Sequence, residues 1–517
     1  MRNADGEGRE GMDREDQPES RRDGGPQGPA PWDPPELRGR GPHNAVAGDM
    51  PREEFQPAAR AVADWIADYL EGVGDHPVLA RVRPGEIRGS LPRAMPEEGE
   101  PFDGMLRDFQ DLILPGVTHW NHPAFFAYFS VTGSGPGVLG EMLAAALNVN
   151  GMVWRSSPAV TELEEVALAW LRDFLGLPGE FDGTINDTAS SSTLYALAAA
   201  REARIPEART GGLSGMPRGR FYASEQAHSS VDKAVITLGF GLDGIRKIPT
   251  DTSFRMIPEE LRRAIRDDLD AGLRPVGVVA TLGTTSTTSV DPVAAVSGIA
   301  REFGLWLHVD AAYGGPAAAL PELRPLFSGW EWADSIVVNP HKWLFTPIDC
   351  SVLYVRDPGM LRRAFSLTPE YLTTPEQDVA RNLMDYGVAL GRRFRALKLW
   401  FVLRYFGASG IRDRIRQHVE MARELAGWID RAPGWERIAP VPFSTVVFRY
   451  APPGVGGEEQ DRLNREIMDR VNDTGEIFLS HTVLNGRFCL RMAIGNLRTR
   501  REHVIRAWEL LQEAAEE

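Results

Sequence analysis

The 517-residue sequence has few cysteines, no long apolar run and no excess of positive charge. Its two cysteines, Cys350 and Cys489, are too few for a disulfide scaffold or a cysteine-rich zinc site, and they suit a reducing compartment. The sequence contains no run of about 18 apolar residues, which is the length needed to span a membrane. The charged N-terminal segment also lacks a signal-peptide core. Lys and Arg number 57 against 72 for Asp and Glu, and this charge of −15 disfavours binding to nucleic acid or anionic membranes. We therefore expect a cytoplasmic protein without nucleic-acid or membrane partners.

The composition divides the chain into a short atypical segment and a long ordinary one. Hydrophobic residues make up 43% and charged residues 25%, which is typical of a folded enzyme. Residues 1–50 are rich in Gly, Pro and charges of both signs and contain no Ile, Phe or Tyr, so we predict a disordered tail. The predicted organisation is a tail at 1–50, an N-terminal helical segment at 51–130, a large domain at 131–400 and a small domain at 401–517.

The order of apolar segments predicts an α/β fold. From about residue 105 to 390, short apolar β-runs alternate with helical stretches, which is typical of a mainly parallel, doubly wound sheet. After about residue 400, a long amphipathic helix, two strands around TVVFRY and RFCLRMAIG and a last helix predict a smaller α+β domain. The first helix carries a strong apolar stripe and is expected to pack on something beyond its own linker, a partner subunit being one candidate; the stripe comprises Phe55, Ala59, Val62, Ile66 and Leu70.

Two charged residues follow predicted strands of the large domain. Asp310 closes the run LWLHVD, and Lys342 follows SIVVN thirty-two positions later, a spacing that leaves room for one helix and one returning strand. Ligands of open parallel sheets bind beyond the carboxyl ends of the strands. A desolvated Lys342 with a lowered pKa could form a Schiff base. The alternatives are a loop or capping role for Asp310 and a surface position for Lys342.

Further polar residues stand at other strand ends. The hydroxyl residues of TINDTASSSTLYALAAARE precede a helix, where they either bind a phosphate or simply cap the helix. His228 could stack on a planar ligand, and LGTTSTTS ends another strand. An amine, a carboxylate for a pyridine nitrogen, a phosphate site and an imidazole are together what pyridoxal phosphate needs. No P-loop and no His/Cys cluster competes, so no metal site is predicted.

Six motifs carry a resemblance to a known family. In order and spacing, GVTHWNHPAFFAYF, EQAHSSVDKA, TLGTTSTT, HVDAAYGG, NPHKWLF and LGRRFRALKLWF resemble the group II pyridoxal-phosphate decarboxylases, and most closely the aromatic-L-amino-acid decarboxylase branch. The resemblance runs from about residue 50 to the C-terminus. It implies the fold of the pyridoxal-phosphate-dependent transferases (fold type I).

The resemblance also implies how the chain would hold pyridoxal 5′-phosphate. Lys342 would form the Schiff base with the cofactor, and Asp310 would pair with its pyridine nitrogen. Ala312 would pack under the ring and His228 would stack over it. The remaining cofactor residues would be Thr188, Ala189, Ser190 and Asn339 at the phosphate, Thr285 near the ring and His341 beside the lysine.

A reaction and an assembly follow from the same resemblance. The family removes the carboxylate of an L-amino acid held on the cofactor, and a general acid then protonates the remaining carbon. Tyr371, on the mobile loop FSLTPEYLTTPEQD, is the first candidate for this acid, and His228 is the second. In plant relatives a Phe at this place marks aldehyde synthesis, so Tyr371 favours simple decarboxylation. The family forms homodimers with active sites at the subunit interface.

The predicted substrate pocket is aromatic. Its residues would be Trp120, Tyr128, Phe129, Val131, Asn150 and Met152, the last two reaching over from the other subunit. If Asn150 faces the substrate, its amide would favour a side chain with a hydroxyl or an indole N–H. The alternative is that Asn150 turns away and contacts backbone. The expected reaction converts an aromatic L-amino acid to its amine and CO2. The alternatives are an acidic or sulfinic amino acid, for which Arg155 is the nearby cation, and an aldehyde-forming relative.

Overall fold

A computed structural model describes residues 48–367, 375–376 and 379–516. The predicted tail lies almost wholly outside these residues, and so does Tyr371, the predicted general acid. Every helix in the described part of the chain is too short or too polar to cross a membrane.

A seven-stranded sheet forms the large part of the molecule, in the order β1-β7-β6-β5-β4-β2-β3. Strands β6, β5, β4, β2 and β3 run parallel, while β7 is antiparallel to both β6 and β1. The α/β fold predicted from the sequence is therefore confirmed. The strands are β1 (Asp182–Asn186), β2 (Gly219–Ser224), β3 (Ile245–Ile248), β4 (Arg274–Thr281), β5 (Trp306–Asp310), β6 (Ser335–Val338) and β7 (Ser351–Val355).

Helices cover both faces of this sheet. Strand β4 is apolar from Val276 to Ala280 and is covered on both faces: Val278 and Ala280 face one core, while Val276 and Val279 face the other. On the first face pack α5 (Pro158–Leu175), α9 (Pro258–Asp270) and α10 (Val293–Glu302); on the second pack α6 (Ala189–Arg204), α8 (Ser230–Thr237) and α12 (Pro358–Phe365). The short helices α7 (Ala208–Gly211) and α11 (Pro340–Trp343) complete this part.

One connection differs from the prediction. The spacing between Asp310 and Lys342 left room for a helix, but three 3₁₀ turns join β5 to β6, at Gly315–Ala319, Arg324–Phe327 and Trp330–Trp332. The segment holds Gly315 and Pro316 at its start and Pro325 further on, and these residues disfavour a continuous α-helix. Strand β6 nevertheless pairs with β5 in the predicted parallel direction.

The C-terminal part builds a second, antiparallel sheet in the order β10-β11-β9-β8. Its core also takes in Ala124–Ala127, which belong to the predicted N-terminal segment. The elements are α13 (Arg395–Arg431), β8 (Trp435–Arg437), β9 (Thr445–Tyr450), α14 (Gly457–Asp473), β10 (Ser480–Leu484), β11 (Arg487–Ala493) and α15 (Arg501–Glu516).

Helix α13 joins the two parts. It runs through the predicted boundary at residue 400 and is interrupted instead at Gly407, whose φ of 62° suits a glycine. Its buried apolar residues up to Val419 pack in the core of the large sheet, and those from Met421 onward pack on the small one. The predicted domain limits therefore stay a prediction. The described helix is broken at Gly407 and not at residue 400.

The N-terminal helices lie mainly on the surface of the chain. They are α1 (Arg52–Gly72), α2 (Glu86–Ser90), α3 (Phe102–Asp108) and α4 (Gly135–Leu147). No residue of α1 is buried, and Phe55 at the start of its apolar stripe is exposed. Helix α4 packs on α13 so closely that a Cβ at Gly140 would lie 2.7 Å from the Lys398 Cα. The opposite face of α4 remains uncovered in the single chain.

Candidate active site

A cavity of about 200 Å³ lies where β4, β5 and β6 end and α6 begins. It brings together all ten residues predicted to hold the cofactor, together with Phe129 from the predicted substrate set. Four further lining residues, Ser230, Thr281, Gly283 and Tyr313, were not predicted. The ten are Thr188, Ala189, Ser190, His228, Thr285, Asp310, Ala312, Asn339, His341 and Lys342.

Lys342 presents its amine to this cavity from the short helix α11. The backbone N–H of Lys342 donates to the Asn339 carbonyl at 3.0 Å, and Nζ lies 5.2 Å from the centre of the Phe129 ring. Burial lowers the pKa of Lys342, and nearby Asp310 opposes this change. An amine with a lowered pKa is more often neutral near pH 7, which is the form that attacks a carbonyl.

Asp310 ends β5 and is fixed by its neighbours. Its Oδ1 accepts a hydrogen bond from the Ala312 N–H at 3.1 Å, and the Ala312 carbonyl accepts from the Asn339 N–H at 3.1 Å. These bonds connect the ends of β5 and β6, so they fix the position of the carboxylate relative to the start of α11, which carries Lys342. The remaining carboxylate oxygen is available to a cationic nitrogen.

His228 and His341 are both held as neutral imidazoles. The Ser230 N–H donates to His228 Nδ1 at 3.1 Å, and the Cys350 N–H donates to His341 Nδ1 at 2.9 Å. Each neutral ring therefore carries its proton on Nε2. Burial lowers the pKa of His228, and it lowers the pKa of His341 to about 3. His228 can thus act as a hydrogen-bond donor at neutral pH without carrying a charge.

The start of α6 provides an anion site. Thr188 is its N-cap, and no side chain caps the helix, so the first backbone N–H groups are open to a ligand. The positive end of the helix dipole and the Ser190 hydroxyl add to this attraction. Across the cavity, Oδ1 of the buried Asn339 has no hydrogen-bond partner among the described residues.

This donor set fits pyridoxal phosphate. It offers an amine for the carbonyl carbon, a carboxylate for a protonated ring nitrogen, an imidazole for the ring face and a helix start for the phosphate. The unpaired Asn339 Oδ1 and Lys342 Nζ, which forms no ion pair in the described structure, are groups that a ligand would engage. Metal chemistry has no comparable set, because the described residues include no group of three or more suitable ligands.

The sequence prediction missed Arg491, which reaches the site from β11 of the small sheet. Arg491 Nε donates to the carbonyls of Thr285 at 3.0 Å and Ser286 at 3.2 Å, and Nη1 donates to the Tyr128 carbonyl. Its guanidinium also lies 4.6 Å from the centre of the Phe129 ring. The signal was the second arginine of RFCLRMA, which stands among apolar residues in the middle of the strand, since a buried arginine has a specific partner.

An aromatic stack closes the bottom of the cavity. Phe129 stacks on Tyr313 at 3.8 Å, and Tyr313 stacks on Trp343 at 4.8 Å. The Tyr313 hydroxyl bonds Ser444 Oγ at 2.6 Å, and Trp343 Nε1 donates to His418 Nδ1 at 3.0 Å. Because Trp343 follows Lys342 directly, this stack fixes the direction in which the lysine leaves the backbone.

The other predicted substrate residues do not line the cavity of their own chain. Trp120 and Tyr128 are 38% and 54% exposed and stack on each other at 5.8 Å, while Val131 is half-buried. Met152 packs with Val153 and Met384. Their substrate role stays a prediction, and the predicted acid Tyr371 lies outside the described residues.

Asn150 and Arg155 have partners on their own chain. Asn150 Oδ1 accepts from the Arg392 N–H at 2.9 Å, so its acceptor is used while Nδ2 has only a 3.6 Å contact to Met152 Sδ. Arg155, the cation considered for an acidic substrate, forms an exposed ion pair with Glu376 at 2.9 Å and does not line the cavity.

Comparison with known proteins agrees with this chemistry. A family model, the pyridoxal-dependent decarboxylase conserved domain, matches residues 84–451. The aromatic-L-amino-acid decarboxylase of Catharanthus roseus is 40% identical over 475 residues, covering 90% of this chain and 94% of that protein. The phenylacetaldehyde synthase of Arabidopsis thaliana is 40% identical over 480 residues, covering 91% and 97%. The crystal structure of Oryza sativa TDC with PLP and tryptamine superposes with a TM-score of 0.88 at 38% identity, covering 91% of this chain and 99% of that one.

Proposed function

The chain belongs to the pyridoxal-dependent decarboxylase family, and we propose that it converts an aromatic L-amino acid to the corresponding amine and CO2. The observation that carries the proposal is the meeting of Lys342, Asp310, His228 and the start of α6 in one cavity. The cofactor of the family is pyridoxal 5′-phosphate, which supplies, when bound, the electron sink for the bond that breaks.

The residues of this chain divide the work of binding and orientation. Lys342 would hold the carbonyl carbon of the cofactor, and the N–H groups that open α6 would hold its phosphate. Asp310, fixed by the Ala312 N–H, would keep the ring nitrogen protonated, since a carboxylate raises the pKa of a cation that it contacts. His228, with its proton on Nε2, would stack on the face of the cofactor ring that is opposite Ala312.

Proton delivery to the substrate carbon has two candidates. His228 holds a proton on Nε2 within the cavity and stays neutral at pH 7 because burial lowers its pKa. Tyr371 is the other candidate on the strength of the resemblance alone. A Tyr371→Phe variant that loses amine release, or that forms aldehyde and hydrogen peroxide instead, would support the tyrosine. Unchanged amine yield would assign the proton to His228.

The aromatic preference rests on the cavity wall and on the relatives. Phe129 and Tyr313 offer ring faces, and no uncommitted cation lines the cavity other than Lys342 among the described residues. The Catharanthus roseus relative is an aromatic-L-amino-acid decarboxylase by name. An acidic substrate would require a dedicated cation, and Arg155 is already paired with Glu376 on the surface.

We further propose that two copies assemble as a homodimer in the cytoplasm. Four apolar side chains on the uncovered face of α4 support the dimer, namely Leu139, Met142, Leu143 and Leu147. The exposed Trp120 and Tyr128 would then meet the partner subunit. Two buried free cysteines are consistent with a reducing compartment. Light scattering of the purified protein and fractionation of the source cells test these two statements.

The experiment that tests the function is amine and CO2 release by the purified protein with and without pyridoxal phosphate. The substrate panel spans tryptophan, tyrosine, phenylalanine, 3,4-dihydroxyphenylalanine, glutamate, aspartate and cysteine sulfinate. We expect cofactor-dependent amine from the aromatic set alone. Release from the acidic set alone would contradict the substrate class, and no release from any substrate would contradict the function.

Aldehyde formation is the second candidate, because the Arabidopsis thaliana relative named phenylacetaldehyde synthase is as similar as the decarboxylase. An aldehyde-forming enzyme consumes oxygen and releases ammonia and hydrogen peroxide in place of the amine. Measuring amine, hydrogen peroxide and oxygen uptake in the same reaction separates the two activities. We expect amine without stoichiometric peroxide.

A further inference from the structure

Thr281 stands beside Asp310 in the cavity, on the neighbouring strand. It is the last residue of β4, and its Cα is the register partner of Asp310 in the parallel β4–β5 pair. Neighbouring strands lie about 4.8 Å apart, and both side chains line the same cavity. The Thr281 hydroxyl is therefore adjacent to the carboxylate that would hold the cofactor nitrogen.

This hydroxyl has no partner of its own. Thr281 is 3% exposed, and its Oγ1 makes no hydrogen bond within the described structure. A buried hydroxyl without a partner destabilises the fold, because it has lost its hydrogen bonds to water without replacement. Such a group is uncommon in a folded chain unless a partner arrives with a ligand.

The backbone of Thr281 is nevertheless held rigidly. The buried carboxylate of Asp291 accepts the Thr281 N–H at 2.8 Å through Oδ2 and the Met256 N–H at 2.7 Å through Oδ1. The Asp291 N–H in turn donates to the Thr281 carbonyl at 2.9 Å. With its main chain fixed on both sides, Thr281 can change only the rotation of its side chain.

Of the other groups near Asp310, the buried Nε2 of His308 also has no partner within the described structure. His308 lies two residues earlier on β5 and on the same face, but its Nδ1 bonds Ser335 Oγ at 2.9 Å, and burial lowers its pKa to about 4. It is therefore neutral at pH 7. The cations that face this region are Lys342 and Arg491, of which the second is bound to backbone carbonyls. Thr281 is the uncommitted hydroxyl beside the carboxylate.

We propose that Thr281 is a positioning residue that donates a hydrogen bond from its hydroxyl to the Asp310 carboxylate when the cofactor is bound. The bond would hold the carboxylate in the orientation that faces the ring nitrogen, together with the Ala312 N–H on Oδ1. This inference rests on the proposed function, because it concerns the residue that keeps the cofactor nitrogen protonated.

The test compares a substitution that keeps the shape of threonine with one that keeps its hydroxyl. Thr281→Val keeps the shape and removes the hydroxyl, while Thr281→Ser keeps the hydroxyl. Cofactor affinity is measured by fluorescence titration of the apoprotein, the ring environment by the pH dependence of the visible absorption, and turnover by kcat and KM. We expect Thr281→Val to weaken cofactor binding and lower kcat by about tenfold each, because one hydrogen bond to a charged group is lost.

The same substitution should leave KM for the amino acid nearly unchanged, and Thr281→Ser should recover most of both losses. Thr193→Val is the matched control. Thr193 is another buried threonine whose Oγ1 has no partner among the described residues, but it lies outside the cavity. Wild-type affinity, spectrum and kcat in Thr281→Val would overturn the proposal. Equal losses in the Val and Ser variants would also overturn it, because packing rather than the hydroxyl would then be responsible. A wild-type protein that releases no amine would instead overturn the proposed function.

Discussion

The cofactor end and the substrate end of the site are built from different parts of the chain. The ten residues predicted to hold the cofactor lie at strand ends and helix starts of one sheet, and all ten line a single cavity. Of the six predicted substrate residues, Phe129 alone lines it, while Trp120 and Tyr128 lie on the surface. Residues at the edge of one sheet are brought together within a single chain, whereas exposed aromatic residues would need a second surface, such as the proposed partner subunit, to close over a substrate.

The largest expected effect lies at the cofactor end. Lys342→Ala should lower kcat by at least about 10⁴-fold and abolish the visible absorption band of the Schiff base between lysine and cofactor, because the covalent attachment is lost. Amine assays and absorption spectra at saturating cofactor measure both. Lys247→Ala is the control, since Lys247 pairs with Asp232 on the surface. Turnover of Lys342→Ala at the wild-type rate would contradict the mechanism.

A second prediction tests the contribution of the small sheet to the cofactor end. Arg491→Lys should weaken cofactor binding by about 100-fold, because an ammonium cannot reproduce the bonds to Thr285, Ser286 and Tyr128. Arg487→Lys on the same strand, where Arg487 is exposed and pairs with Glu436, is the matched control. If both variants bind the cofactor equally well, Arg491 does not support the cavity.

A third prediction addresses the substrate end. Because Asn150 Oδ1 is bound to the Arg392 N–H, only Nδ2 remains to meet a substrate, and a donor suits a phenol oxygen better than an indole N–H. Asn150→Leu should therefore lower kcat/KM for tyrosine relative to phenylalanine by about tenfold. The tryptophan to phenylalanine ratio should stay constant. An equal change for all three amino acids would mean that Asn150 serves packing alone.

The smallest expected effect concerns pH and returns to the cofactor end. A histidine of ordinary pKa would be half protonated at about pH 6.5. The pKa of His228 is lowered by burial, so its cationic form appears only at more acidic pH, and activity that needs the neutral ring should persist through pH 6.5. We expect kcat/KM to fall between pH 7.5 and pH 6.5 by clearly less than the roughly 1.8-fold that a catalytic histidine of ordinary pKa would produce. A loss of about 1.8-fold or more over that range would contradict the lowered pKa of His228.

Much of the fold and most of the cofactor end could be predicted because their signals are local. Apolar runs such as SIVVN and LWLHVD are strands buried on both faces, and the polar residues that end them meet at one sheet edge. The predicted helix between β5 and β6 was wrong, because a spacing of thirty-two residues gives the length of a segment and not its conformation. Glycines and prolines at particular positions decided in favour of 3₁₀ turns.

What the sequence left out depended on contacts between distant segments. Arg491 is 206 positions from Thr285, and no local pattern connects the two residues. Thr281 was contained in the quoted TLGTTSTT motif, yet its place beside Asp310 follows from the register of β4 and β5, which the motif does not encode. The orientation of Asn150 likewise depends on the Arg392 backbone, far along the chain.

The position of Arg491 has a consequence for how the protein is made. During synthesis, the residues from Thr188 to Lys342 leave the ribosome long before β11, which lies 149 positions after the lysine at Arg491. At roughly 5–20 residues per second, this interval lasts on the order of ten to thirty seconds. Through that time the loop at Thr285 and Ser286 lacks its guanidinium support. Tight cofactor capture is therefore a late event, which follows completion of nearly the whole chain.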